Sequence, residues 1–89
     1  MELANIRIAM IGLGYVGLPL AVEFGKKYTT VGFDINSARI DELGRGHDHT
    51  LEVSGEELTE ATRLSYTADI EEIKSCNIYI LKFRGSFIA

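Results

Sequence analysis

Short hydrophobic runs alternate along this chain with longer amphipathic stretches. Residues 6–11 are almost continuously apolar, which is typical of a strand that is covered on both faces. Apolar residues then recur every four positions from Val16 to Phe24, which predicts a helix over residues 15–27. Pro19 limits where this helix begins, because proline is tolerated only near the first turn of a helix.

The same alternation continues to residue 81. A second helix is predicted after Asn36 or Ser37, either of which is a good N-cap, and it buries Ile40 and Leu43. The remaining predicted elements are a second strand over residues 29–34, a short helix capped by Ser54, a third strand over residues 64–67, a helix within residues 68–76 that buries Ile70 and Ile73, and a fourth strand over residues 78–81.

Strands and helices that alternate at these lengths predict a parallel sheet of the α/β class with flanking helices. The expected strand order is 3-2-1-4, which is the first half of a doubly wound, Rossmann-type fold. We expect one domain over residues 1–81, followed by a tail over residues 82–89.

Composition excludes several classes of function. The chain has 89 residues, of which 46% are hydrophobic, which is enough for one small core. Its net charge is −4, and acidic and basic residues are interspersed, with no clustered basic face that would bind nucleic acid. No apolar run approaches the roughly 20 residues of a membrane span, and the first residues lack the basic region of a secretory signal. Cys76 is the only cysteine, which favours a reducing, cytoplasmic setting.

Three glycines follow the first predicted strand in the pattern Gly-x-Gly-x-x-Gly. In this pattern Gly12 permits a sharp turn, Gly14 lets a pyrophosphate approach the backbone, and Gly17 lets the helix pack closely on the strand. Tyr15 and Val16 lie in the turn and offer backbone N–H groups, and the positive end of the helix dipole favours the phosphates. The pattern indicates a dinucleotide site.

The second predicted strand ends in Asp34, whose carboxylate can accept both hydroxyls of the adenosine ribose. The same carboxylate repels a 2′-phosphate, and no basic residue follows it directly, so NAD is favoured over NADP. Arg39 is predicted either to reach the adenine face or to lie in solvent. The alternative interpretation is a tight turn whose glycines serve packing alone, with Asp34 as an ordinary polar residue at a strand end.

Two other groups of residues suggest chemistry only superficially. His47 and His49 flank Asp48, but no cysteine or carboxylate cluster completes a metal site, so we expect a solvated loop and no metal. Cys76 has no histidine near it in sequence, so we expect a small core residue rather than a nucleophile.

The string Gly-Leu-Gly-Tyr-Val-Gly-Leu-Pro-Leu-Ala over residues 12–21 resembles the UDP-glucose/GDP-mannose dehydrogenase family, as do Asp34-Ile35-Asn36 and Arg39-Ile40. Residues 50–58 resemble one branch more closely, the UDP-N-acetylhexosamine 6-dehydrogenases of Vi polysaccharide and O-antigen biosynthesis. The resemblance covers residues 6–80 and only the N-terminal part of the family's much longer proteins. This string argues against a Rossmann-type domain that binds a different cofactor, such as a flavin.

The resemblance implies an NAD-dependent oxidoreductase that oxidises the C6 alcohol of a nucleotide sugar to a carboxylate through a catalytic cysteine. It implies an NAD site lined by seven residues: Gly12, Gly14, Tyr15, Val16, Gly17, Asp34 and Arg39. The catalytic cysteine and the substrate domain have no counterpart here, so this chain is expected to carry no catalytic residue and to bind the nucleotide sugar only as part of a full-length protein.

After Leu81 the sequence departs from the family, which continues with a Val-Pro-Thr-Pro type loop. We therefore expect a fold truncated after strand four, inactive alone, with that strand's edge open to pair in a homodimer or to exchange the tail. The competing hypothesis is a stand-alone nucleotide-sensing or interaction module that retains the half-fold.

Overall fold

The computed structural model describes the backbone of residues 5–83 and 86–88, and the side chains of residues 5–81. Its sheet has five strands in the order β3-β2-β1-β4-β5. The elements are, in chain order, β1 (Arg7–Ile11), α1 (Gly17–Gly25), β2 (Thr29–Phe33), α2 (Ser37–Gly44), α3 (Gly55–Glu60), β3 (Leu64–Thr67), a 3-10 helix (Ile70–Ile73), β4 (Ile78–Phe83) and β5 (Ser86–Ile88).

The first four strands are parallel, and their order confirms the predicted 3-2-1-4 arrangement. The central strand is β1, whose Met10 lies opposite Gly32 of β2 and Ile80 of β4. Because parallel strands point the same way, the turn after β1 and the turn after β2 meet at one edge of the sheet. This carboxyl edge is where the predicted glycines and Asp34 come together.

The sheet continues beyond the fourth strand, after which we expected the fold to be truncated. β4 extends two residues past Leu81, and β5 pairs antiparallel with it from Leu81 opposite Ile88 to Phe83 opposite Ser86. An antiparallel neighbour needs only a tight connection, whereas a parallel one needs a long crossover. The expectation of an open strand-four edge is therefore wrong for this part of β4.

Two of the predicted helices differ from their predicted bounds, and α1 ends at Gly25 rather than at residue 27. α1 begins at Gly17 rather than at residue 15, because Tyr15 and Val16 lie in the turn that precedes it. The helix predicted within residues 68–76 is only a four-residue 3-10 helix, capped by Asp69. Its Ile73 is buried as expected, but Ile70 is 52% exposed, so the prediction that Ile70 is buried was wrong.

Two apolar clusters lie on opposite faces of the sheet, as the neighbouring buried residues Ala9 and Met10 of β1 show. We call the first the helix-covered face. It is formed by Met10, Leu13, Leu18, Ala21, Val22, Leu43, Val53, Leu58 and Ala61. We call the other the second face. It is formed by Ala9, Phe33, Ile73 and Cys76.

Candidate functional site

The turn after β1 depends on glycine at two positions. Gly12 has a φ of 97°, a conformation that residues with a Cβ rarely adopt, and its N–H donates to the Phe33 carbonyl at 2.8 Å. A Cβ on Gly17 would lie 1.8 Å from the Gly12 carbonyl oxygen. Only a glycine therefore lets α1 begin this close to β1.

Gly14 faces open space instead. A Cβ built there meets no heavy atom of the described residues within 4 Å. The neighbouring Tyr15 and Val16 are 68% and 40% exposed, and among the described residues no side chain caps the N-terminus of α1. Uncapped N–H groups beside open space, at the positive end of a nine-residue helix, suit an anion.

Asp34 joins the turn after β2 to this turn. Its Oδ2 accepts from the Leu13 N–H at 3.1 Å, and its Oδ1 accepts from the Asn36 N–H at 2.9 Å. The residue is half-buried, and each carboxylate oxygen keeps a further lone pair. The carboxylate is thus held at the carboxyl edge of the sheet, next to the glycines, with acceptor capacity to spare.

Arg39 is buried on the inner side of this turn, so the alternative that it lies in solvent is wrong. Only 6% of the residue is exposed. Its Nε donates to the Leu13 carbonyl at 2.8 Å, and its Nη1 donates to Asp48 at 2.8 Å and lies 3.3 Å from Glu42. Among the described residues, its Nη2 is buried and has no partner.

Asp48 is the residue that sequence reasoning missed. The expected solvated loop is wrong at this position, because the Asp48 side chain is fully buried. Burial would raise the pKa of this carboxyl, but hydrogen bonds from Thr50, Arg39 and the Val53 N–H outweigh it and hold the pKa well below its usual range. An aspartate followed two residues later by threonine is typical of a local turn, which was the available signal.

A groove of about 400 Å³ opens beside this cluster, and Arg39 is part of its lining. It is lined by Asn36, Ala38, Arg39, Glu42, Arg45, His47 and His49. The ring Nδ1 of His49 lies 2.6 Å from Glu42. Burial opposes ionisation of Glu42, but hydrogen bonds from His49 and Arg39 prevail and lower its pKa. Within residues 5–81, no three His, Cys, Asp or Glu side chains converge as a metal site requires.

Cys76 lies on the second face, away from the glycine turn. It is 6% exposed and packs in the cluster with Ala9, Phe33 and Ile73, as predicted for a core residue. Burial raises the pKa of its thiol, which disfavours the reactive thiolate. None of the helices in the described ranges has the length and hydropathy to cross a bilayer.

Known proteins resemble this chain over most of its length. The sequence model for the UDP-glucose/GDP-mannose dehydrogenase family, NAD binding domain, matches residues 6–83. Among curated proteins, the UDP-N-acetyl-D-glucosamine 6-dehydrogenase of Salmonella typhi is 60% identical and that of Pseudomonas aeruginosa 57% identical, each over 77 residues. Each match covers 86% of this chain and 18% of the relative.

Solved structures give the same result for the fold. The UDP-D-ManNAc dehydrogenase of Pyrococcus horikoshii is 36% identical with a TM-score of 0.81, covering 86% of this chain and 20% of that one. A ternary complex of the GDP-mannose dehydrogenase of Pseudomonas aeruginosa is 25% identical with a TM-score of 0.77, covering 93% and 22%. The chain thus spans about a fifth of the length of the relatives it matches.

Proposed function

The chain belongs to the UDP-glucose/GDP-mannose dehydrogenase family as its NAD-binding domain, and from this we propose how its residues bind NAD. The observation that carries the proposal is the open space at Gly14, bordered by the uncapped N-terminus of α1 and by Asp34. A side chain at residue 14 would occupy this space, and glycine leaves it free for a ligand.

We assign the diphosphate of NAD to the turn between β1 and α1. Gly12 and Gly17 give the turn its shape, and Gly14 leaves the approach clear. The backbone N–H groups of Tyr15 and Val16 are the proposed donors, because they belong to the exposed turn that leads into α1. The interaction is one of backbone amides and helix dipole with phosphate, so it needs no basic side chain.

We assign the adenosine ribose to Asp34 and Arg39. Asp34 offers its remaining lone pairs to the ribose hydroxyls. Arg39 retains one buried donor, Nη2, without a partner among the described residues, and a buried donor of this kind requires an acceptor. An oxygen or nitrogen of the bound adenosine supplies it in this proposal.

The same two residues favour NAD over NADP. Asp34 is an anion at the place where a 2′-phosphate would have to bind. Arg39 does not offset that charge, because its guanidinium is already paired with Asp48 and Glu42. A 2′-phosphate would therefore meet a site whose nearest cation is neutralised.

For the whole protein we propose oxidation of the C6 alcohol of a nucleotide sugar, the activity that the names of its relatives carry. Bound NAD would be the hydride acceptor of this oxidation. The part played by these 89 residues is to bind and orient that cofactor. We assign no catalytic role to Cys76, because it is buried on the second face. We propose that the protein acts in the cytoplasm, since the single thiol of this chain suits a reducing compartment.

We also propose that the chain self-associates through the outer edge of its sheet. β5 is the terminal strand of the described sheet, and unpaired strand edges recruit further strands. Sedimentation equilibrium at several concentrations tests this proposal. A dimer whose dissociation follows mass action is expected, and a monomer at every concentration would refute it.

Calorimetric titration with NAD, NADP and ADP-ribose tests the cofactor assignment. We expect NAD and ADP-ribose to bind and NADP to bind more weakly. Asp34→Ala should weaken NAD binding about tenfold to a hundredfold, as expected for lost hydrogen bonds to a charged group. It should also reduce the difference in affinity between NAD and NADP. Asp41→Ala removes an exposed carboxylate of α2 and is the matched control. Preference for NADP, or an unaffected Asp34→Ala variant, would contradict the assignment.

A further inference from the structure

Asp48 organises the connection between α2 and α3. Its Oδ1 accepts from the Thr50 N–H at 3.0 Å and the Thr50 hydroxyl at 2.6 Å, and its Oδ2 accepts from the N–H groups of Glu52 and Val53 at 3.0 and 3.1 Å. These bonds enclose Leu51, whose φ of 59° is unusual for a residue with a side chain. The carboxylate therefore holds the loop in a conformation that is itself unfavourable at Leu51.

Asp48 has one partner outside its own loop, the guanidinium of Arg39 at 2.8 Å. Both side chains are almost completely buried, with 6% of the Arg39 side chain and none of the Asp48 side chain exposed. Hydrogen bonds between buried charged groups are among the strongest in proteins. This bond therefore sets the position of the guanidinium, whose Nε in turn donates to the Leu13 carbonyl.

Leu13 is the residue between the first two glycines of the turn, and both of its backbone polar groups are held by side chains. Its N–H donates to Asp34 and its carbonyl accepts from Arg39. Its own side chain is fully buried on the helix-covered face, where it would lie 3.0 Å from a Cβ at Gly32. The turn that receives the diphosphate is thus anchored through the peptide units on both sides of Leu13.

We propose that Asp48 positions the NAD site through Arg39. Asp48 itself does not contact NAD. Asp48 holds the guanidinium so that Nε fixes the Leu13 carbonyl and Nη2 stays free for the adenosine. The inference deepens the proposed function and rests on it for the role of NAD. It adds a residue from the α2–α3 connection to a site otherwise built from the turns after β1 and β2.

Glu42 does not take this role, although it also lies near Arg39. Its oxygen is 3.3 Å from Nη1, and its other oxygen is engaged by His49, which is two-thirds exposed. Asp48 has the shorter contact and the more completely buried side chain. The guanidinium position therefore depends mainly on Asp48.

A double-mutant cycle tests the inference with Asp48→Asn, Arg39→Lys and the two combined. Asp48→Asn should weaken NAD binding about tenfold in calorimetry, the order of one hydrogen bond to a charged group. In the Arg39→Lys background the same change should have almost no further effect, because the Nε contact is already lost. Thr50→Val is the matched control, since it removes one hydrogen bond to Asp48 and leaves Arg39 alone; its NAD affinity should stay within twofold.

Amide hydrogen exchange of the protein without ligand gives a second measurement that does not depend on NAD. Asp48→Asn should speed exchange of the Leu13 N–H about tenfold relative to strand amides of β1, and Thr50→Val should not. An Asp48→Asn variant with wild-type affinity, an equal loss in both Arg39 backgrounds, or unchanged exchange at Leu13 would each overturn the inference. Failure of the wild-type chain to bind NAD would instead refute the proposed function, and Leu13 exchange would still decide this inference.

Discussion

The two faces of the sheet are covered very differently. On the helix-covered face, residues from β1 and all three helices form one cluster of nine buried side chains. On the second face the cluster has four members, and its only cover among the described residues is the 3-10 helix Ile70–Ile73 and the segment that follows it. The packing that fixes the position of the glycine turn is therefore concentrated on one side.

This difference explains where the site gets its rigidity. Arg39 and Asp48 belong to α2 and to the connection after it, which pack on the helix-covered face through Leu43 and Val53. The second face contributes no described side-chain hydrogen bond to Leu13, Asp34 or Arg39. The side-chain hydrogen bonds of the site are thus coupled to the helix-covered face, whereas Phe33 of the second face contributes its backbone carbonyl to Gly12.

The largest effect should come from truncating the two cores. Leu18→Ala removes a fully buried side chain from the helix-covered face and should lower the free energy of unfolding by about 3 kcal/mol or more. Ile73→Ala, on the second face, should cost less, about 2 kcal/mol, because fewer buried neighbours surround the cavity. Urea unfolding measures both. An equal loss of unfolding free energy in the two variants, or a larger loss for Ile73→Ala, would contradict the difference between the two faces.

Alanine substitutions at Gly17 and Gly14 should affect folding and NAD binding separately. Gly17→Ala places a methyl group against the Gly12 carbonyl and should destabilise the fold by about 2 kcal/mol, since α1 must move off β1. Gly14→Ala enters open space and should change stability by less than about 0.5 kcal/mol, yet weaken NAD binding about tenfold or more. Thermal melts and calorimetry on the pair distinguish the roles. A Gly14→Ala variant that binds NAD normally would contradict the assignment of the diphosphate.

The smallest effect concerns pH. The folded-state pKa of Asp48 is depressed, so its stabilising contribution is complete above the pKa of about 3.9 of an unfolded aspartate and is lost as the pH falls below it. The stability difference between wild type and Asp48→Asn should therefore shrink, on the order of 1 kcal/mol, between about pH 5 and pH 3. Melts across this range test it, and a difference that stays constant would mean that folding does not lower the pKa of Asp48.

The sequence predicted the elements whose local signals agree with their packing. The glycine turn, Asp34 at the end of β2, a cap at Asn36 or Ser37 and the Ser54 cap all follow from residue type and spacing. The structure confirms them, with Asn36 as the cap of α2. The strand order followed from alternating elements and is confirmed by the observed register. These features depend on contacts close in sequence or on a rule of topology.

The features that were missed depend on contacts distant in sequence or on the absence of a strong local signal. Arg39 is buried because Leu13, 26 residues earlier, offers a carbonyl, and because Asp48 supplies a counter-charge. The segment around Ile70 has too few apolar positions to favour a helix over a 3-10 turn. β5 depends on pairing with the last residues of β4, which periodicity in so short a run does not predict.

Titration of the isotope-labelled chain with NAD, followed by amide chemical shifts in NMR, tests the central claim most directly. The account predicts that the largest shifts fall on the amides of residues 12–16, with smaller ones around Asp34 and Arg39 and almost none on the second face. Shifts centred on His47 and His49 with little change at residues 12–16, or shifts spread over the second face, would contradict it.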